Sequence, residues 1–143
     1  MNTTTAAAQT LEEGIEITLP KQQNLEIYKA ISKIFLTIGI PANIKGYQFL
    51  REAIICTVKN TEMINNITKQ LYPLIAKQFA TTPSKVERAI RHAIEVGWSR
   101  GRIDQLNNIF GTQVYGKYDR PTNGEFIALL ADKMMVDGLA VNI

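Results

Sequence analysis

The chain is poor in the residues that build reactive or metal-binding centres. It has a single cysteine, Cys56, and a single histidine, His92. One cysteine closes no disulfide within the chain. Cys56 sits among Ala53, Ile54, Ile55 and Val58, which predicts a small buried thiol rather than a reactive one. No Cys/His set is spaced for zinc, no Gly-rich loop precedes a lysine for phosphate, and no Ser–His–Asp order is evident. Cys56 and His92 have no motif around them that would pair them for nucleophilic catalysis. The expectation is a protein that is not an enzyme and takes no cofactor and no metal. No apolar run approaches the ~20 residues needed to span a bilayer, so no membrane partner is expected. Met1 to Thr10 lacks the basic and apolar regions of a signal peptide, which makes the cytoplasm the expected location. The aromatic residues are not grouped as a stacking platform, which weakens an RNA-binding reading.

What is present is ordinary in amount and uneven in placement. The 143 residues suggest one domain, and 45% apolar with 20% charged residues is a globular composition. The net charge is only +3. Between Lys69 and Arg102, however, Lys69, Lys77, Lys85, Arg88, Arg91, Arg100 and Arg102 stand against Glu87 and Glu95 alone. A local basic patch suits a polyanionic partner. Taken alone it reads equally well as a solvated helical face.

Residues 1–23 are Thr-, Ala- and Gln-rich and then mixed, which predicts a flexible tail or linker ahead of a domain over 24–143. Within it Ile15, Ile17 and Leu19 alternate with polar residues and suit a short strand if a partner edge exists. Leu25 to Ile38 has helical periodicity, with Leu25, Tyr28, Ile31, Ile34, Phe35 and Ile38 inward and Asn24 as N-cap. Gly39 and Pro41 end it. A second helix runs from Gly46 or Tyr47 to Lys59, and Ile64 to Gln70 suits a short third. Ile103 to Phe110 is helical, and Gly111 to Arg120 is a loop with a brief extended part at Val114–Tyr115. Thr122 caps a last helix, with Glu125 three residues later completing a capping box. The fold class is all-α, with about six helices.

The stretch from Tyr72 to Ile94 carries the most information. Pro73 opens a short helix, Thr82 caps the next, and Pro83 stands in its first turn. Small and apolar residues fall at Ile75, Ala76, Phe79, Ala80, Val86, Ala89 and Ile90. That spacing suits a short helix, a tight corner and a crossing second helix, which is a helix-turn-helix. Ser84, Lys85, Glu87, Arg88, Arg91, His92 and Glu95 share the opposite face of the second helix. Arg88 and Arg91 offer guanidinium forks that match guanine O6 and N7, and Lys85 is a further base or phosphate donor. Glu87 suits a cytosine amino group or the orientation of a neighbouring arginine. The bland alternative is a helical i, i+4 pair between Glu87 and Arg91, worth ~0.3–0.5 kcal/mol. Thr82, Ser84, His92 and Lys45 are the candidate phosphate contacts. Trp98 is expected to pack behind the helix rather than stack a base.

At these residues a family resemblance becomes specific. Asn43 to Tyr47, Ile67 to Lys69, Leu71 to Pro73, Val86 to Val96, Trp98 to Gly101 and Pro121 to Ala128 carry it. Together they resemble the C-terminal effector domain of stage zero sporulation protein A, the response regulator that starts sporulation in spore-forming bacteria. The resemblance covers about Leu25 to Met135. It implies binding to a double-stranded DNA box of the TGTCGAA type, as a tandem dimer in many cases, with activation or repression of transcription. It implies Lys85, Glu87, Arg88 and Arg91 at the bases. It also implies a polymerase sigma-subunit surface around Arg102, Asp104, Gln105 and Asn108, and a last helix, containing Ala131, linked to activation and dimer contacts.

The chain departs from the family pattern in three places. Lys85 stands where the family usually has Arg, and Gly97 where it usually has Ala. The first 23 residues are too few for the family's receiver domain, so an effector domain without its receiver is expected. The rival expectation is an interaction module that titrates the sigma subunit or a full-length relative. Loss of Lys85, Arg88 and Arg91 would be tolerable for that rival and fatal for a DNA reader.

Overall fold

The computed structural model describes residues 22–139. Six α-helices account for most of them, with no strand among the described residues. They are α1 Gln22–Ile38, α2 Lys45–Lys59, α3 Tyr72–Gln78, α4 Pro83–Ser99, α5 Ile103–Phe110 and α6 Asn123–Val136. The alternation at Ile15, Ile17 and Leu19 lies outside the described residues, and so does residue 1–21 of the proposed tail.

Helix α1 buries Ile27, Ile31, Ile34, Phe35 and Ile38, a stripe at helical spacing. It starts earlier than the sequence suggests, so Asn24 lies inside it rather than capping it. The inward face is also rotated: Leu25 stays 38% exposed, and Ile27 takes the inner position. Tyr28 sits at the rim because its hydroxyl donates to Glu52 Oε2 at 2.7 Å and its ring lies under the Arg51 guanidinium at 4.8 Å. Gly39 ends the helix at φ +100°, a conformation open to glycine, and Ile40 N–H donates back to Phe35 O at 2.9 Å.

Helix α2 is the central element and buries residues on nearly every side, among them Tyr47, Phe49, Leu50, Ala53, Ile54 and Ile55. Its Gly46 meets α4 backbone to backbone. A Cβ there would lie 2.1 Å from Ala89 O and 2.8 Å from Ala93 Cβ, so no larger residue fits this crossing. Cys56 on the same helix is half-buried, and burial pushes its thiol up to about 11, with the Glu52 carboxylate adding to the effect.

Between α2 and α3 the chain runs through a 3-10 turn at Thr61–Asn66 and a wide π-type turn at Ile67–Leu71, where one short α-helix was expected. The α3–α4 corner also differs. Ala80 does not pack between the helices; it is exposed and takes the left-handed conformation at φ 55°. Thr81 N–H closes the corner on Ala76 O at 2.9 Å, as a Schellman motif does. Ala80 thus occupies the position glycine usually takes. The sealing contacts come from Ile75, Ala76, Val86 and Ile90, with Phe79 edge-on to Phe49 at 5.3 Å.

The 111–122 segment has no strand at Val114–Tyr115. The Asn107 side chain fixes it, accepting from Val114 N–H at 2.9 Å and donating to Tyr115 O at 2.9 Å. Tyr115 then packs edge-on against Trp98 at 5.4 Å, and Trp98 against Phe126 at 5.7 Å. Trp98 therefore packs behind α4, as expected.

Candidate nucleic-acid interface

Helix α4 is 17 residues long, about 25 Å at 1.5 Å per residue. Its N-terminus is set by Thr82, whose hydroxyl accepts from Lys85 N–H at 3.3 Å, with Pro83 in the first turn. One face carries Val86, Ile90, Ala93, Ile94, Gly97 and Trp98 into the core. The facing stripe leaves Ser84, Lys85, Arg88, Arg91 and His92 exposed and Glu87 half-exposed. The predicted residues of the second helix thus share one solvent face beside the α3–α4 corner.

The stripe divides into two parts. Lys85 and Arg88 enter no ion pair among the described residues. Lys85 shares a concavity of about 300 Å3 with Lys45, Phe79 and Thr81, so the start of α2 and the start of α4 form one basic edge beside the corner. Glu87 and Arg91, by contrast, form the i, i+4 pair. At exposed side chains such a pair is worth a few tenths of a kcal/mol, about what helix peptides give.

The second part is also wired into the body of the fold. Asn123, the first residue of α6, donates to Tyr72 Oη at 3.0 Å and to Glu87 O at 3.1 Å. One side chain thus ties α6 to α3 and to the backbone of α4. Burial holds the Tyr72 hydroxyl above the usual phenol range, although the Asn123 bond opposes that shift. The capping box at Thr122 and Glu125, with bonds of 3.1 and 2.9 Å, fixes the start of α6 and so the place of Asn123. Glu95 pairs with Arg120 at 3.6 Å, bringing the loop before α6 onto the flank of α4. Tyr72, Arg91, Arg120 and Asn123 line a cleft of about 390 Å3 there.

Tyr72, Asn123 and Arg120 were missed as site-shaping residues. A capping box announces where α6 begins, but not that its first side chain reaches residues 51 and 36 positions away. The candidate sigma-contact residues lie elsewhere. Arg102 precedes α5, while Asp104, Gln105 and Asn108 stand exposed on it, beyond the C-terminal end of α4. Asp104 and Asn108 border a concavity of about 560 Å3 with Gly111 and Gln113. No group of three or more His, Cys, Asp or Glu side chains among the described residues is arranged to hold a metal. No helix among them is long and apolar enough to cross a membrane.

A family model described as "Sporulation initiation factor Spo0A C terminal" matches residues 31–134. The match takes in all of α2 to α5, with the helix-turn-helix near its centre, and the capped start of α6. It spans most of the chain, and its family is one of DNA-binding effector domains in transcription regulation, not of enzymes. The chain belongs to the Spo0A C-terminal family of sporulation regulators.

Proposed function

We propose that this protein is a sequence-specific regulator of transcription that lays the N-terminal half of α4 in the major groove of a TGTCGAA-type box. The observation that carries this reading is the exposed stripe of α4, with Lys85 and Arg88 free of ion pairs among the described residues at the end nearest the corner. A free guanidinium or ammonium forfeits no internal bond when it meets a base edge. Arg88 and Lys85 read bases directly. Arg91 reads a base from a posture set by Glu87, since the pair holds its guanidinium on the same face. Thr82, Ser84, His92 and Lys45 take phosphate oxygens on either side.

The exposed ridge of Asp104, Gln105 and Asn108 on α5, with Arg102 just before it, faces a sigma subunit while α4 holds DNA. The length of α4 separates it from the corner, which leaves room for both partners. Pairing of two copies forms on tandem boxes. The test is titration of the protein against a box duplex and a scrambled duplex at fixed salt. A preference of ~10^3-fold or more supports specific reading. Equal affinity, with capture of sigma subunit retained, favours a module that titrates its partner instead.

A further inference from the structure

The loop ahead of α6 presents two side chains for which the α4 stripe has no use. Gly116 to Asp119 is a tight turn, closed by Asp119 N–H on Gly116 O at 3.1 Å and by Gly116 N–H on Asp119 Oδ2 at 3.2 Å. Its two central residues are Lys117 and Tyr118. Both project outward, Tyr118 being 88% exposed, with the Lys117 ammonium 5.7 Å from the Tyr118 ring centroid.

This turn is held at both ends by the body that carries α4. On one side Asn107 fixes Val114 and Tyr115, and Tyr115 packs on Trp98 of α4. On the other, Arg120 pairs with Glu95, one helical turn beyond Arg91 on the groove-facing stripe. A solvated linker has no need of two such anchors. Arg120 is three residue steps from Lys117, a reach of at most about 10 Å. That is close to the ~12 Å width of a B-DNA major groove. With α4 in the groove and Arg120 at its flank, that reach is enough to bring the turn to the strand that borders the groove.

We propose that the Gly116–Asp119 turn is a second DNA contact, in which the Lys117 ammonium and the Tyr118 hydroxyl grip phosphates of the strand flanking the box. It rests on the groove reading of α4. It adds affinity and register without sequence information, because phosphates carry none directly. The turn works as a wing beside the reading helix.

The test uses the full chain and the variants Lys117→Gln and Tyr118→Phe. Each is titrated over 50 to 200 mM salt (about the usual range for such slopes) against a box duplex with long flanks, a box duplex trimmed at its flanks, and a random duplex. For Lys117→Gln the log–log salt slope should fall by about one phosphate equivalent. The wild type should then lose about threefold to fourfold more affinity than the variant across that range. Tyr118→Phe should weaken binding with the slope unchanged. Both losses should appear equally on the long box and random duplexes and vanish on the trimmed one. A wild type that prefers the box while Lys117→Gln keeps its slope and affinity would overturn the wing and leave the groove reading standing. A wild type without box preference would overturn both. Variants altered only in binding a protein partner would overturn the wing as well.

Discussion

The two sides of the α4 stripe differ in charge and in what they are tied to. Near the corner, Lys85 and Arg88 stand clear of ion pairs among the described residues. Along the other side, Glu87 pairs with Arg91, Glu95 with Arg120, and Asn123 bonds to the Glu87 carbonyl and the Tyr72 hydroxyl. The difference separates two jobs that a helical wheel merges. One side is free to spend its hydrogen bonds on a partner. The other spends them on the posture of the helix. Beneath both, the Gly46 crossing sets how closely α4 lies against α2.

The largest break of this arrangement is at that crossing. Gly46→Ala forces its Cβ against the Ala89 carbonyl, and neither backbone gives way cheaply. A loss of about 2–3 kcal/mol in stability is expected, read as a lower denaturation midpoint with an unchanged m-value. The variant should bind the box and random DNA less well in parallel, since the whole stripe moves.

At the open side, Arg88→Ala should cost ~1–3 kcal/mol on the box and far less on random duplex. Equal losses on both would make Arg88 a phosphate contact. At the tied side, Asn123→Ala removes two hydrogen bonds, to the Tyr72 hydroxyl and to the Glu87 carbonyl, which keeps its helical partner. A stability loss of about 1–2 kcal/mol is expected by thermal or denaturant unfolding. Its base preferences should keep their pattern at reduced affinity, and an unchanged stability would show that the bonds are dispensable.

Lys85→Arg is the smallest change. A planar fork replaces a mobile ammonium at the free side, so discrimination at one base should sharpen by about 1 kcal/mol or less. Affinity for random duplex should barely move, because the charge is constant. Superimposable selectivity profiles would mean that Lys85 does not read a base.

How much of this was legible in the sequence follows from the range of each interaction. Thr82, Thr122 and Glu125 bond to backbone within three residues, so their caps announce α4 and α6 on sight. The exposed stripe was equally readable, because it needs only helical periodicity. The i, i+4 pair was visible as an alternative, and the fold forms it. Asn123, Asn107 and Arg120 were not legible, since their bonds depend on elements packed from far along the chain. The corner misled for another reason. Ala80 looks like a helix-contact residue by size, and its left-handed backbone is marked by no glycine or asparagine. The start of α1 misled likewise, as Asn24 is a good cap by type in a helix already under way.

The central claim is that the free side of the stripe reads bases and that Glu87 sets the posture of Arg91. Base-resolved titration of the wild type, Arg88→Ala and Glu87→Gln against single-base variants of the box, at fixed salt, addresses it most directly. Arg88→Ala should flatten the preference at the base it faces and leave the others intact. Glu87→Gln should bind random duplex more tightly, having lost a negative charge near phosphates, yet lose about 1 kcal/mol of discrimination at the base facing Arg91. If Glu87→Gln keeps the full selectivity profile, and Arg88→Ala weakens every duplex alike, the division of the stripe is contradicted.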